Sequence, residues 1–160
     1  MTDRSVVHGS FSIERTYPAT PQRVFAAWAT EQAKDEWFGE GDDFLASTDQ
    51  YTLDFRVDGR ERLGGKLPND RTFDYSAVYH DIVTDVRIVA SYEVRVDGRR
   101  TSVSLMTVEL TAVPEGTHLV MTEQGAFLDG LDSNDLRQEG AADSLDKLGA
   151  YLLASVPTSA

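Results

Sequence analysis

The sequence has no cysteine among its 160 residues, so disulfide bonds, thiol catalysis and thiolate metal sites are excluded. Long apolar runs are also missing, because no segment approaches the about 18 consecutive apolar residues that a membrane-spanning helix needs. The first ten residues, MTDRSVVHGS, lack the apolar core of a signal peptide. We therefore expect a cytoplasmic protein, and the lack of cysteine agrees with a reducing compartment.

Positive charge is scarce. The chain has 15 Lys and Arg residues against 27 Asp and Glu residues, which gives a formal net charge of −12. Such a surface repels phosphate backbones and anionic lipids. We therefore expect neither nucleic acid nor a membrane as a partner.

Histidines and established catalytic motifs are few. The three histidines are His8, His80 and His118. His80 precedes Asp81, but adjacent residues of a strand point to opposite faces, so they do not form a catalytic pair. Residues 59–67, GRERLGGKL, resemble a phosphate-binding loop but lack the glycine and the Ser or Thr that the motif requires. We expect no metal site and no cofactor.

The order of the patterns predicts the fold class. The length fits one domain, which we place at residues 10–156, with flexible termini at 1–9 and 157–160. A strand comes first, followed by two short helices, a run of antiparallel strands and one long helix. An α+β chain of this kind buries its last helix against the concave face of a curved sheet.

The first elements have clear local signals. Residues 10–17 alternate between large and polar side chains, which is typical of a half-buried strand. Thr20 can cap a helix, and Pro21 suits its first position. Thr30 can start a second short helix, which the loop at 39–43 ends.

The pattern of residues 44 to about 127 predicts strands that are separated by turns. The pentapeptide RVDGR occurs twice, at 56–60 and 95–99. In each copy Asp-Gly follows an alternating segment, which predicts a type I′ hairpin turn in both places. The strand after the second copy is apolar on both phases, with a switch near residues 105–106 that predicts a β-bulge.

The last segment, residues 133–156, has the period of an amphipathic helix. Its apolar stripe consists of Ala141, Leu145, Leu148, Gly149, Leu152 and Val156. This stripe is predicted to face the sheet.

Two charged residues are predicted on faces that they share with large apolar side chains, namely Arg15 and Glu123. One interpretation is an ion pair at the edge of the core, because a buried carboxylate is costly unless it is paired. The other is that Glu123, the one inward carboxylate that the patterns predict, lines a pocket. There it would orient a ligand hydroxyl or act as an acid/base with a raised pKa. His118 is predicted to point outward.

The aromatic residues allow two interpretations as well. Aromatic side chains at such spacings usually form a plain core, and this is the preferred interpretation for Trp28. A long helix laid across a curved sheet, however, often leaves an apolar hollow. Trp37, Phe38 and Tyr92 are therefore candidates for the lining of a pocket.

Four segments together resemble a known family: FSIERTYPATPQRVFAAWATEQAKDEWF, YHDIVTDVRIVASYEV, SLMTVELTAVPEGTHLVMTEQGAF and GAADSLDKLGAYL. They are similar to the family named after the activator of heat shock protein 90 ATPase, within the START and birch-pollen-allergen superfamily of helix-grip folds. The resemblance covers about residues 10–155. It implies a curved antiparallel sheet of six to seven strands that grips a long C-terminal helix around an apolar pocket.

The resemblance also implies a function. Relatives bind hydrophobic molecules, so we expect a lipid-like or polyketide-like molecule between the sheet and the C-terminal helix. One alternative is a cyclase or hydrolase that uses Glu123 as acid/base, with Tyr79 or Tyr92. A second alternative is a co-chaperone that stimulates a chaperone ATPase. A homodimer is a further hypothesis.

Bacterial members of this family often have Gly-Trp where the present chain has Gly140-Ala141. The small residue at 141 implies either a larger pocket or a neighbour, such as Trp37 or Phe127, that fills the space. The predicted ligand-binding residues are Trp37, Phe38, Tyr79, Tyr92, Met106, Met121, Glu123, Phe127, Ala141 and Leu145.

Overall fold

The computed structural model describes residues 4–39 and 44–155. Within these residues the chain forms seven strands and three helices. In chain order they are β1 (Val6–Tyr17), α1 (Pro21–Ala29), α2 (Glu31–Trp37), β2 (Ser47–Leu53), β3 (Arg60–Lys66), β4 (Thr72–Val83), β5 (Arg87–Val96), β6 (Arg99–Val113), β7 (Gly116–Leu128) and α3 (Asn134–Ala154). The predicted α+β helix-grip class, with two short helices after the first strand, is confirmed.

All seven strands form one antiparallel sheet in the order β1-β7-β6-β5-β4-β3-β2. The first strand therefore lies at one edge and pairs with the last, so that Phe11 is opposite Glu123. The second strand lies at the other edge, and α1 and α2 carry the chain across. The turn into α1 is capped as predicted, because the Thr20 hydroxyl accepts a hydrogen bond from the Arg23 N–H at 3.3 Å.

The core lies between the inner face of the sheet and α3. Four described residues of the predicted helix stripe are buried, namely Ala141, Leu145, Leu148 and Leu152, whereas Gly149 is partly exposed. The Tyr17 hydroxyl donates to the Leu145 carbonyl at 2.7 Å and thereby fastens α3 to β1. Val156 and the predicted flexible terminus at 157–160 lie outside the described residues.

The start of β1 differs from the prediction. The strand begins at Val6, so residues 6–9, predicted to be flexible, belong to the sheet. β7 continues to Leu128 and supplies the pairing partners, and the Asp129 side chain accepts from the Ser5 N–H at 2.9 Å. Most of these first residues are exposed on both faces, and for this reason no alternating pattern marks them.

The β-bulge predicted at residues 105–106 is wrong. β6 keeps one phase there, with Ser104 and Met106 buried and Leu105 exposed. The register shift lies instead near Thr101, between the pairs Val94–Ser102 and Arg95–Arg100. At this end of the strand the inner face is occupied by Ser102 and Ser104, while Val103 and Leu105 are exposed. A pattern that places apolar residues inward therefore assigns the wrong face here.

The two RVDGR copies adopt different conformations. In the second copy Asp97 and Gly98 have φ values of 51° and 79°, which confirms the two-residue hairpin turn. In the first copy Asp58 alone has a positive φ, and residues 54–59 form a longer connection. A Cβ atom at Gly59 would collide with the carbonyl oxygen of Asp54. The type I′ prediction is therefore wrong for the first copy.

Candidate ligand cavity

A cavity of about 810 Å³ lies between the inner face of the sheet and α3, with one wall formed by α2. This volume is within the range of small-molecule sites. Most of its wall is apolar or aromatic, including Trp28, Trp37, Phe38, Leu63, Phe73, Tyr75, Tyr92, Val94, Met106 and Met121. The hollow expected beneath the helix is therefore present.

Most of the residues predicted to bind a ligand lie on the cavity wall. These are Trp37, Phe38, Tyr92, Met106, Met121, Glu123 and Ala141. Tyr79, Phe127 and Leu145 do not line the cavity. Trp28, which the sequence pattern assigns to the plain core, also contributes to the wall.

Space is open beside Ala141. Both Ala141 and Gly140 line the cavity. Trp37 contributes to the wall, whereas Phe127 does not. The cavity that the larger-pocket hypothesis requires next to Ala141 is therefore present.

Glu123, on β7, contributes a carboxylate to the wall of the cavity. Its Oε1 accepts a hydrogen bond from the Tyr92 hydroxyl at 2.5 Å. The Tyr92 hydroxyl in turn accepts from Arg137 Nη1 at 3.0 Å. A carboxylate, a phenol and a guanidinium are thus connected in one chain of hydrogen bonds.

Arg137, on α3, is held by several partners. Nη1 also lies 3.4 Å from Ser104 Oγ, while Nη2 donates to Ser102 Oγ at 2.7 Å and to Asp132 Oδ2 at 2.6 Å. The four terminal N–H groups of the guanidinium therefore each have an acceptor within the protein, Tyr92 included. Arg137 positions Tyr92 and has no terminal donor left for a ligand.

Two aromatic rings enclose the guanidinium of Arg137. Its Cζ atom lies 5.4 Å from the ring centroid of Tyr92 and 5.7 Å from that of Phe127, within cation–π range. The Phe127 ring packs over Gly125, where a Cβ atom would lie 3.0 Å from that ring. Phe127 therefore supports the site through Arg137.

Burial raises the pKa of Glu123 above its ordinary value, although the hydrogen bond from Tyr92 and the charge of Arg137 oppose this effect. Burial also raises the pKa of Tyr92, and the neighbouring Glu123 charge adds to it. The phenol is therefore neutral at physiological pH, and the carboxylate is a weaker acid than a solvent-exposed glutamate.

The predicted ion pair between Arg15 and Glu123 is wrong. Arg15 is on β1, next to β7 as expected, but its Nε donates to Asp146 of α3 at 3.0 Å. The residue opposite Glu123 is Phe11, four positions away along the strand. The alternative interpretation, a carboxylate that lines the cavity, agrees with the structure.

A second polar cluster lies behind another part of the wall. Lys34 Nζ donates to Glu61 Oε1 at 2.9 Å, and both side chains are only 1% exposed. The Tyr79 hydroxyl donates to the same oxygen at 2.8 Å, and the Tyr51 hydroxyl donates to Glu61 Oε2 at 2.6 Å. Glu61 is thus a second inward carboxylate, and Lys34 lines the cavity beside it.

Sequence reasoning did not find this cluster, nor Arg137. Lys34 lies in the polar run EQAKDE of a short helix, which is typical of an exposed helix face. Arg137 precedes the apolar stripe of α3. The one available signal was the phase of β3, where Glu61 shares the inner face with Leu63.

Tyr75 was also not predicted as a site residue. Its ring lies between Phe38 and Tyr92, at centroid distances of 5.0 Å and 4.9 Å. The structure shows no hydrogen bond from its hydroxyl to another described residue, and the side chain lines the cavity. Burial raises its pKa well above the ordinary value, so the hydroxyl is a neutral donor or acceptor.

In the described part of the chain, no group of three or more His, Asp or Glu residues could hold a metal ion. His118 lies on the outer face as predicted, where it contacts Glu14 Oε1 at 3.0 Å and Thr16 Oγ1 at 3.2 Å. Across residues 4–39 and 44–155, no helix combines the length and hydrophobicity needed to span a bilayer.

Solved structures with the same architecture include close relatives. An uncharacterized protein from Rhizobium leguminosarum is 39% identical, with a TM-score of 0.91 over 96% of this chain and 100% of that chain. The Mll3558 protein from Rhizobium loti is 42% identical, with a TM-score of 0.85 over 92% of this chain and 99% of that one. CalU16 from Micromonospora echinospora shares the fold at 19% identity, with a TM-score of 0.63 over 94% of this chain and 85% of CalU16.

A comparison with curated proteins finds no match. The family model described as Activator of Hsp90 ATPase homolog 1-like protein matches residues 18–153. This match begins directly after β1 and covers both short helices, strands β2 to β7 and nearly all of α3. The chain therefore belongs to the Activator of Hsp90 ATPase homolog 1-like family.

Proposed function

We propose that this protein binds an apolar or amphipathic small molecule in the cavity between the sheet and α3. The observation that carries the proposal is the combination of a volume of about 810 Å³ with a wall that is mostly apolar or aromatic. Burying apolar ligand surface against such a wall contributes roughly 25 cal/mol per Å². The hydrogen-bonded chain of Glu123, Tyr92 and Arg137 in this wall suits an amphipathic ligand with one polar group.

The protein carries its own reporter of binding. It has two tryptophans, Trp28 and Trp37, and both line the cavity. A bound aromatic or lipid-like molecule should therefore change the intrinsic fluorescence. It should also raise the thermal midpoint, because a ligand at about 100 times its Kd adds about 2.7 kcal/mol to the free energy of unfolding. Fatty acids, sterols, flavonoids and polyketide-like aromatics form the first screen.

A pair of matched variants tests where the ligand binds. Ala141→Phe places a ring in the open space beside α3, and we expect it to weaken binding at least about tenfold, equivalent to about 1.4 kcal/mol. Ala112→Phe makes the same change at an exposed position of β6 and should leave binding unchanged. Equal affinity in both variants, or no response to any class of ligand, would contradict the proposal.

A second candidate function is proton transfer to or from the bound ligand. It is favoured by one observation, a buried carboxylate that lines the cavity, because burial raises the pKa of Glu123 towards the range of an acid/base. Such a group is a cyclase- or hydrolase-type acid/base. Glu123→Gln should then abolish turnover of a bound polyketide-like substrate while binding persists. Unchanged turnover in Glu123→Gln would exclude this role.

A third function, stimulation of a chaperone ATPase, rests on the family description alone. It remains a prediction. A pull-down with the purified protein that recovers no chaperone would exclude it.

A further inference from the structure

Glu123 presents one oxygen atom to the cavity. Oε1 is occupied by the Tyr92 hydroxyl, whereas Oε2 makes no hydrogen bond to another described residue. Among the described residues, Trp28 Nε1 is the side-chain nitrogen or oxygen atom that is both inaccessible to solvent and without a hydrogen-bond partner. Oε2 is therefore not sealed, and because Glu123 is 4% exposed and lines the cavity, this oxygen opens into it.

The Tyr75 hydroxyl is also accessible from the cavity. It too has no hydrogen bond to a described residue and is not a sealed atom. Its ring packs against Tyr92, whose hydroxyl is bonded to Glu123. An acceptor, Glu123 Oε2, and a donor or acceptor, the Tyr75 hydroxyl, thus lie on the same part of the wall without protein partners.

Two cations of the wall, Arg137 and Lys34, are paired with carboxylates of the protein. The terminal donors of Arg137 are used by Asp132 and other protein groups, and Lys34 Nζ is bonded to Glu61. The formal charges of these two pairs cancel, which leaves the Glu123 carboxylate as the remaining charge beside Tyr75. Arg71, Arg99, Asp143 and Asp146 also contribute to the lining, but they are exposed, so solvent screens them. Lys147 of the lining is half-buried and already has an interaction of its own.

We infer that the cavity selects a ligand whose buried end is a neutral hydroxyl, as in a phenol or an alcohol. The hydroxyl donates its proton to Glu123 Oε2 and accepts a hydrogen bond from the Tyr75 hydroxyl. A ligand carboxylate at the same place would lie against the Glu123 carboxylate, and one of the two would have to take up a proton. This inference rests on the proposed function and names its ligand class.

A site built to hydrogen-bond a ligand hydroxyl rejects an analogue that lacks the donor, because the buried acceptor is then left unpaired. Three probes with the same tail separate the possibilities: 4-octylphenol, its methyl ether 4-octylanisole, and 4-octylbenzoate. We expect the wild-type protein to bind the phenol at least about tenfold more tightly than either of the others, by fluorescence titration at neutral pH.

Variants test whether the preference comes from these two residues. Glu123→Gln can keep its carbonyl oxygen for Tyr92 and turn its NH₂ group to the cavity, where the ether oxygen is as good an acceptor as the phenol. The preference for the phenol over the ether should therefore fall below about threefold. Tyr75→Phe should weaken phenol binding, while Glu109→Gln, at an exposed position of β6, should leave all three affinities unchanged.

The outcomes distinguish a failure of the hydroxyl preference from a failure of the proposed ligand-binding function. Equal binding of phenol and ether, or tighter binding of the benzoate, overturns the hydroxyl preference but leaves the cavity as a ligand site. A preference that persists unchanged in Glu123→Gln also overturns it. If none of the three binds while another class in the screen does, the inference fails alone. If every class fails, the proposed function fails with it.

Discussion

Lys34 and Glu61 form a 2.9 Å salt bridge in which each side chain is only 1% exposed. Lys34 is on α2 and Glu61 is on β3, so the pair fastens the helix to the sheet beside the cavity. Two tyrosine hydroxyls complete the coordination of the carboxylate. Lys34 Nζ also lies 4.7 Å from the ring centroid of Phe38 and 5.1 Å from that of Trp28. The pair is therefore well solvated by the protein, as a buried ion pair must be.

We predict that Lys34→Met lowers the free energy of unfolding by about 3–5 kcal/mol, because it leaves the Glu61 charge buried without a cation. Urea denaturation measures this loss. The control is Arg15→Met, which removes the half-exposed pair with Asp146 and should cost less than about 1 kcal/mol. Adding Glu61→Gln to Lys34→Met should recover much of the loss. Similar costs for Lys34→Met and Arg15→Met would contradict this account.

The pH dependence of stability should report the burial of Glu123. Since its pKa is raised in the folded protein, the native state binds this proton more tightly than the unfolded chain does. The stabilisation from the bound proton is complete below the ordinary pKa of 4.5 and is lost as the pH rises through the folded pKa. Each tenfold difference in proton affinity corresponds to about 1.4 kcal/mol.

The stability of the wild type relative to Glu123→Gln should therefore fall from about pH 4 towards neutral pH and then become constant. Denaturation of both proteins across this range measures the difference. Glu109→Gln, an exposed substitution on β6, controls for the change in net charge. A difference that stays flat or rises with pH would show that Glu123 is not a weakened acid in the folded state.

Arg137→Lys should be costly although it keeps the charge. A lysine ammonium cannot reproduce the planar set of donors that reaches Tyr92, both serines and Asp132 at once. We expect a loss of about 1–3 kcal/mol in the free energy of unfolding, because buried acceptors are left unpaired. Arg100→Lys, in the more exposed pair with Glu93, is the matched control and should change stability by less than about 1 kcal/mol. Equal effects in a thermal melt would contradict the assignment.

The two RVDGR copies allow one substitution to be tested in two backbones. Gly98 has a φ of 79° with no atom within 4 Å of an added Cβ, so Gly98→Asn should cost only a few tenths of a kcal/mol. Gly59→Asn would place its Cβ against the Asp54 carbonyl and should cost at least about 2 kcal/mol. Thermal unfolding compares the two variants, and equal shifts in the midpoint would refute the difference.

The sequence predicts those elements in which the alternation of apolar and polar side chains matches the buried and exposed faces. β5 and α3 bury one regular face each, so period and burial agree over many residues. The first RVDGR copy could not be told from the second, because its conformation depends on hydrogen bonds to β4. Asp58 donates its N–H to the Tyr79 carbonyl at 2.8 Å, and Tyr79 donates to Gly59 in return.

The cavity was predictable in outline, and its polar groups were predictable only in part. Glu123 and Tyr92 lie in long alternating strands, where the phase shows which side chains face inward. Lys34 and Arg137 lie on helices at positions that the apolar pattern assigns to no face, and their burial follows from partners on distant strands. Pairing of this kind is a property of the tertiary structure, so a single sequence does not show it.

The position of β1 at the edge of the sheet governs the order in which the protein can be built. Its neighbour is β7, with Val6 opposite Leu128, so the first strand to be synthesised must wait for the last. The hairpins from β2 to β7 can form as they emerge from the ribosome, whereas closure of β1 onto β7 spans most of the chain and is entropically late. Until then the inner face of β1 is exposed to solvent. In a chain truncated before β7, the backbone hydrogen-bonding groups of β1 would have no strand to pair with, and they could pair with other chains and cause aggregation.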